Sequence, residues 1–103
     1  MLTLAQAQLR NARTNGSGRS SATVYKGNRL AHTVVALTEG TQLSEHENPG
    51  EATAQVLLGR LELHSGRDTW ECVAGNLLVI PPAVHSIRAI NDCAFLLTVV
   101  RAD

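Results

Sequence analysis

The sequence is poor in aromatic residues and has no excess of charge of either sign. Only 3% of its 103 residues are aromatic, and 9 Lys and Arg residues balance 9 Asp and Glu residues. A nucleic-acid-binding surface needs a basic stripe, and a single-stranded nucleic acid also needs aromatic side chains on which its bases stack. Neither feature is present. Nucleic acids and anionic membrane surfaces are therefore not expected partners.

The sequence also lacks an apolar run long enough to span a bilayer. Residues Met1 to Arg10 have no basic region followed by a continuous apolar region, so no secretory signal peptide is predicted. Cys72 and Cys93 can be interpreted as a disulfide pair or as two small buried thiols. We favour thiols in a reducing compartment, and we expect the protein to be cytoplasmic.

A chain of 103 residues is expected to form one domain. Small domains bury a smaller share of their surface than large ones, so self-association would help to cover their apolar residues. The alternating strand patterns of this chain present more apolar faces than one small core can absorb. The sequence therefore predicts a homodimer.

The first residues differ in pattern from the rest of the chain. A stripe of apolar residues at spacings of three and four predicts a helix, with Thr3 as a candidate N-cap; the stripe consists of Leu2, Ala5, Leu9 and Ala12. Residues 14–21 are rich in Gly, Ser, Asn and Arg and predict a loop, with Asn15 to Ser20 as its most mobile part.

From Ala22 to Arg101 the sequence alternates short apolar or β-branched runs with Gly, Pro and Asn turns. This regular punctuation predicts an all-β sandwich or barrel of the jelly-roll type. About nine strands are expected, at residues 22–26, 30–37, 41–46, 53–58, 60–64, 69–73, 77–80, 85–90 and 93–101.

Two stretches carry a resemblance to a known family. In the first, Gly40 is followed by five residues and then by His46, and Gly59 closes the stretch; in the second, five residues separate Gly75 from Pro81, and His85 ends the run Pro-Pro-Ala-Val-His. This glycine, proline and histidine spacing resembles the two motifs of the cupin superfamily. In the second motif Ala83 stands where Gly is usual, and His85 comes one residue early.

The resemblance covers about residues 30 to 100 and extends to the small single-domain bacterial cupins of the RmlC-like type. It implies a double-stranded β-helix, the cupin jelly-roll barrel. The apolar stripe of the first residues adds a short N-terminal helix or arm before that barrel. Residues 1–20 would form the arm and loop, and residues 21–103 would form the barrel domain.

The resemblance also implies a metal site, but an incomplete one. In metal-binding cupins, two His residues, one Glu and a third His hold a divalent metal inside the barrel, and only His46 and His85 match that set here. Asn48 and Ala52 stand where the second His and the Glu are usual. Glu51 is one residue away, so strand alternation turns it to the opposite face unless the strand bulges. The resemblance thus allows at most a weak site for Zn, Ni, Fe or Mn.

The predicted pocket is lined by His46, Asn48, Glu51, His85 and Trp70. Glu51 is either a ligand or general base at the pocket mouth, or a solvated turn residue. Trp70 is a core or dimer-interface residue first and a pocket wall second. These alternatives remain open at the level of sequence.

Three functions fit this pattern, and no catalytic residue is assigned. The first is a protein that binds a small molecule in the barrel. The second is a metal-dependent isomerase, dioxygenase or hydrolase that uses His46, His85 and Glu51. The third is a dimeric accessory protein. Whether the protein is an enzyme stays open, because the fold does not choose among them.

Overall fold

The structure is a computed structural model that describes residues 1–46, 50–81 and 85–101, with the backbone alone for residues 44–46. One helix precedes the described strands. The elements are α1 Leu2–Thr14, β1 Arg19–Lys26, β2 Leu30–Leu37, β3 Gln42–His46, β4 Gly50–Leu58, β5 Arg60–Ser65, β6 Asp68–Val73, β7 Leu77–Val79, β8 His85–Ala89 and β9 Cys93–Arg101.

The strands form two antiparallel sheets that face each other as a jelly-roll barrel. The five-stranded sheet has the order β1-β2-β9-β4-β7, and the four-stranded sheet has the order β3-β8-β5-β6. Successive strands cross between the sheets at several points, as they do from β2 to β3 and from β4 to β5. The predicted all-β jelly-roll fold is confirmed.

The core between the sheets is built by strand alternation. Along β4, Ala52, Ala54 and Val56 are buried, whereas Glu51 and Gln55 between them are exposed. The buried side chains of both sheets join one interior cluster, in which Phe95 is fully buried. Alternate residues of a strand point to opposite faces, so each strand contributes one row to this cluster.

The helix packs on the outer face of the five-stranded sheet. Ala5, Leu9 and Ala12 are buried there in a second apolar cluster with Val34, Ala36 and Ala94. The predicted stripe is wrong at Leu2, which is 54% exposed. Among the described residues, no helix combines the length and the hydropathy needed to cross a membrane.

The N-terminal cap predicted at Thr3 is also wrong. The backbone N–H of Ala5 donates to the carbonyl of Met1 over 2.8 Å, and the helix begins at Leu2 with Met1 as its N-cap. This first helical hydrogen bond places Thr3 inside the first turn, where its hydroxyl cannot cap the helix.

The loop after the helix is shorter than predicted. Arg19, Ser20 and Ser21 belong to β1 because they pair with β2 at positions 35–37. The remaining turn is held by Asn15, whose Oδ1 accepts hydrogen bonds from the backbone N–H groups of Ser17 and Gly18 over 3.2 and 3.1 Å. Residues 19–21 are polar and were therefore predicted as loop. An edge strand can be polar because it needs little apolar surface.

Gly59 joins the two sheets between β4 and β5. Its φ of +73° lies in the left-handed region, which L-amino acids with a Cβ rarely adopt. A Cβ atom at this position would overlap the carbonyl oxygen of Asp92 and lie 2.9 Å from the Cα of Cys93. Glycine is therefore required both for the turn and for the close approach of the β8–β9 connection.

Candidate functional site

His85 is a buried histidine at the start of β8. Its neighbours two and four residues along the strand, Ile87 and Ala89, belong to the interior cluster, so alternation puts His85 on the same inward face. It is 2% exposed. Within the described residues, the His85 imidazole therefore lies on the same inward face as the largely apolar interior cluster.

The pairing of β3 with β8 brings the positions of the two predicted histidines together. His46 is the cross-strand partner of His85, and Leu43 is the partner of Ile87. Three residue steps on β3 match two on β8, so β3 contains an irregularity between Leu43 and His46. Directly opposed positions are the nearest neighbours that two antiparallel strands offer. Asn48 lies outside the described residues.

The carboxylate predicted to complete the site lies on the other face of the sheet. Ala52, 4% exposed, occupies the inward position, and the adjacent Glu51 is exposed. The pairing of β4 with β9 is regular from Gly50 to Val56, so no bulge turns Glu51 inward. The structure thus separates Glu51 from the interior face that carries His85.

Trp70 lies on β6, at the edge of the four-stranded sheet. Its cross-strand partner is Leu63, and it shares a strand face with the buried Cys72. It is nevertheless 40% exposed, because β6 has no neighbour on its outer side. Trp70 is thus a half-open wall at the edge of the barrel and not a core residue.

The donor atoms described in the interior do not fit a tight metal site. No group of three or more His, Cys, Asp or Glu residues with the spacing for a metal occurs in the described part of the chain. Cys72 and Cys93 are free and buried, as predicted. Burial, with the Asp92 carboxylate nearby, raises the pKa of Cys93 to about 12. Burial, with Glu71 nearby, also raises the pKa of Cys72. Both are neutral thiols at pH 7, whereas the thiolate is the form that binds metals.

A second concave surface, which sequence reasoning missed, lies on the outer face of the five-stranded sheet. We call it the outer cleft; its volume is about 520 Å³, and it is lined by Gly50, Glu51, Ala52, Thr53, Val79, Ile80, Thr98 and Val100. Alternation along β4 does predict that Glu51 and Thr53 share a face. The contribution of β7 and β9 depends on a strand order that the sequence does not reveal.

Comparisons with known proteins identify the fold. No protein-family model matches the chain, and no curated protein matches it. Among solved structures, a conserved protein of unknown function from Streptococcus pyogenes is 27% identical, with a TM-score of 0.78 over 86% of this chain and 79% of that one.

Two similar structures are described as cupins. A cupin superfamily protein from Desulfitobacterium hafniense is 17% identical, with a TM-score of 0.80 over 86% of this chain and 83% of that chain. An RmlC-like cupin from Desulfovibrio desulfuricans is 23% identical, with a TM-score of 0.74 over 84% and 85%. Identities this low show a shared fold and leave the activity open. The protein thus has the fold of the RmlC-like cupins.

Proposed function

We propose that the protein binds a small molecule inside the barrel, at the end where His85 on β8 lies opposite His46 on β3. The observation that supports this proposal is the burial of the His85 imidazole, which is 2% exposed. Small-molecule sites are mostly apolar, with a few polar groups that fix the orientation of the ligand. An imidazole on an inward face shared with Ile87 and Ala89 fits that description.

A neutral imidazole carries one hydrogen-bond donor and one acceptor, so its ring is the polar group that can orient a ligand in this interior. It suits a compound with a carbonyl, carboxylate or hydroxyl group and an apolar body. Trp70, half-exposed on the edge strand β6, is a large apolar surface that a ligand could contact from that side. We propose His46, Asn48, His85 and Trp70 as the pocket residues, with no catalytic role assigned to any of them.

A metal has a secondary place in this proposal. His46 and His85 are the residues that would hold a divalent ion such as Zn, Ni, Fe or Mn, and an ion held there would polarise a ligand oxygen. Tight zinc sites use three or four protein ligands. With Ala52 on the inward face and Glu51 on the outward face, we propose weak binding at most. The metal-dependent enzyme is accordingly the second hypothesis.

The binding proposal is tested by NMR on protein with ¹³C-labelled methyl groups. A library of small organic acids and sugars is screened with the Ile87 methyl, in the interior, as reporter and the Leu77 methyl, 66% exposed, as control. We expect at least one compound to shift Ile87 and not Leu77, and His85→Asn to weaken its binding at least tenfold. Failure of every compound to shift interior methyl groups, or binding that is unchanged in a folded His85→Asn variant, would contradict the proposal.

We also propose that the protein is a cytoplasmic homodimer. The free thiols of Cys72 and Cys93 suit a reducing compartment. Large apolar side chains away from the five-stranded sheet are exposed, including Trp70 and Val73 on the edge strand β6, and a second copy would cover them. Light scattering is expected to give twice the monomer mass, and a monomer at high micromolar concentration would refute the dimer.

A further inference from the structure

We propose that the outer cleft is a second ligand site, distinct from the barrel interior, and that it binds a small organic cation with an apolar body, such as an alkyl or aryl amine. The cleft lies where β4, β7 and β9 adjoin in the five-stranded sheet. Alternation puts Glu51, Thr53, Thr98 and Val100 of its lining on the face opposite the interior cluster, whereas the lining residues Ala52 and Ile80 also belong to that cluster. The inference goes beyond the proposed interior site and does not depend on it.

The size and lining of the cleft suit a small molecule. Its volume of about 520 Å³ falls within the roughly 300–1,000 Å³ typical of ligand pockets. Val79 and Val100, two of its apolar residues, are 74% and 41% exposed. Covering this apolar surface would release water from it and favour binding of the apolar body.

The charge in the cleft indicates which polar group the ligand should carry. Glu51 is the one charged residue in the lining, and within the described ranges it forms no ion pair. The carboxylates of Glu62, Glu71 and Asp92, by contrast, each lie within 3.4 Å of an arginine. A carboxylate beside an apolar wall is complemented by a ligand that brings a cation to it.

Two threonines supply further polar groups beside this carboxylate. Thr53 and Thr98 are cross-strand partners, and Glu51 is paired with Val100 in the next row on the same face. The Thr98 hydroxyl is 3.0 Å from Nδ1 of His32, which holds that side chain in place. An ammonium group has three donors and no acceptor, so a carboxylate flanked by a hydroxyl is a matching set.

The helix on the same sheet face argues against a second copy as the occupant. Two sheets that pack face to face lie about 10 Å apart, and a helix with its side chains is itself about 10 Å across. Helix α1 packs on Val34, Ala36 and Ala94, so it holds a partner sheet away from this face. A flat partner would also bury the Glu51 carboxylate, which is costly unless the partner places a cation against it. A small ligand meets neither obstacle.

The proposal is tested with three probes of equal chain length: hexylamine, 1-hexanol and hexanoate. NMR titrations follow the methyl groups of Val79 and Val100 and the amide of Thr53. We expect saturable binding of hexylamine, weaker binding of hexanol, and the weakest binding of hexanoate. Glu51→Gln should lower the affinity for hexylamine about fivefold, as for the loss of one exposed ion pair, and should leave the affinity for hexanol unchanged. Glu39→Gln, which removes an exposed carboxylate outside the cleft, should change neither.

A second pair of variants separates the apolar contribution from the charge. Val79→Ser should weaken hexylamine and hexanol alike, whereas Leu77→Ser on the same edge strand, outside the cleft lining, should weaken neither. Equal affinity for all three probes, or an amine affinity that Glu51→Gln does not change, would overturn the proposal. A dimer whose formation protects Val79 and excludes hexylamine would overturn it too. His85→Asn should not affect hexylamine, so failure here is distinguishable from failure of the interior site.

Discussion

The two faces of the five-stranded sheet differ in the polar groups that they meet. A metal site would need an imidazole and a carboxylate on the same face, whereas here they lie on different faces. The inner face meets the barrel interior, into which β8 of the facing sheet brings the imidazole of His85, and β4 contributes Ala52 to it. The outer face has the carboxylate of Glu51 and, in the described part of the chain, no ion pair to that carboxylate. The two β4 residues are adjacent in sequence, so a single step along the strand decides which face receives the charge.

The comparison shows that one residue step along β4 separates a buried alanine from an exposed carboxylate. The β4–β9 pairing is regular through Glu51 and Ala52, so the backbone there has no freedom to exchange the two side chains. An imidazole without a carboxylate is suited to hydrogen bonding, and a carboxylate in an apolar cleft is suited to a cation.

Returning the carboxylate to the inner face should have the largest effect. The double variant Asn48→His and Ala52→Glu is expected to raise the affinity for Zn²⁺ or Ni²⁺ by orders of magnitude, because it supplies a third imidazole and an anionic ligand. Calorimetry measures the change, and Glu51→Gln in the same background is the control. An affinity that the double variant does not change, or that Glu51→Gln abolishes, would contradict the assignment of the faces.

A substitution at Gly59, the junction of the two sheets, should lower the free energy of unfolding of the whole barrel. Gly59→Ala introduces a Cβ at a φ of +73° and against the Asp92 carbonyl oxygen, with an expected loss of about 3 kcal/mol of unfolding free energy. Gly66→Ala is the matched control, because its φ is +58° and no atom lies within 4 Å of the added Cβ. It should cost only about 1 kcal/mol. Equal losses in urea unfolding would show that the close approach at Gly59 is unimportant.

The smallest effect is expected where the helix is attached to the barrel. The Asp92 carboxylate accepts a hydrogen bond from the backbone N–H of Glu39 over 2.9 Å and lies 2.9 Å from Nε of Arg13. The Glu39 N–H first, and then Arg13, hold the pKa of Asp92 below its ordinary value. The pair is partly exposed, so Asp92→Asn should cost about 0.5–1 kcal/mol at pH 7.

The pH dependence of this contribution has a definite sign. Because the pKa of Asp92 is lowered in the folded state, its stabilisation is complete above the unfolded-state value of about 3.9 and is lost as pH falls through the folded-state value. Urea unfolding of wild type and Asp92→Asn should therefore converge at acidic pH. If the difference in unfolding free energy between the two proteins persists in full at pH 2, the contribution of Asp92 comes from the shape of its side chain and not from its charge.

The sequence predicted the strands best where turn residues bound an apolar run. The bounds of β2, Leu30–Leu37, and β9, Cys93–Arg101, match the prediction at both ends, because Gly27-Asn28 and Asn91-Asp92 mark where they begin. Strands β1 and β4 begin three residues earlier than predicted, at Arg19 and Gly50. Their additional residues pair through the backbone, which leaves no mark in apolar periodicity.

The site was predictable only as far as local periodicity reaches. The second stretch indicated His85, one residue before the position of the family motif, and alternation along β4 gave the opposite directions of Glu51 and Ala52. The outer cleft was not predictable, because Val79, Thr53 and Val100 come from β7, β4 and β9. Only the order of strands in the folded sheet brings those three residues together.

Zinc calorimetry on the wild-type protein, purified without chelator, tests the central claim most directly. If the barrel interior holds an imidazole site without its carboxylate, Zn²⁺ should bind with a dissociation constant above the micromolar range, and metal analysis of the purified protein should find well under one equivalent. One equivalent of Zn²⁺ bound at nanomolar affinity would contradict this account and would place the metal-dependent enzyme first.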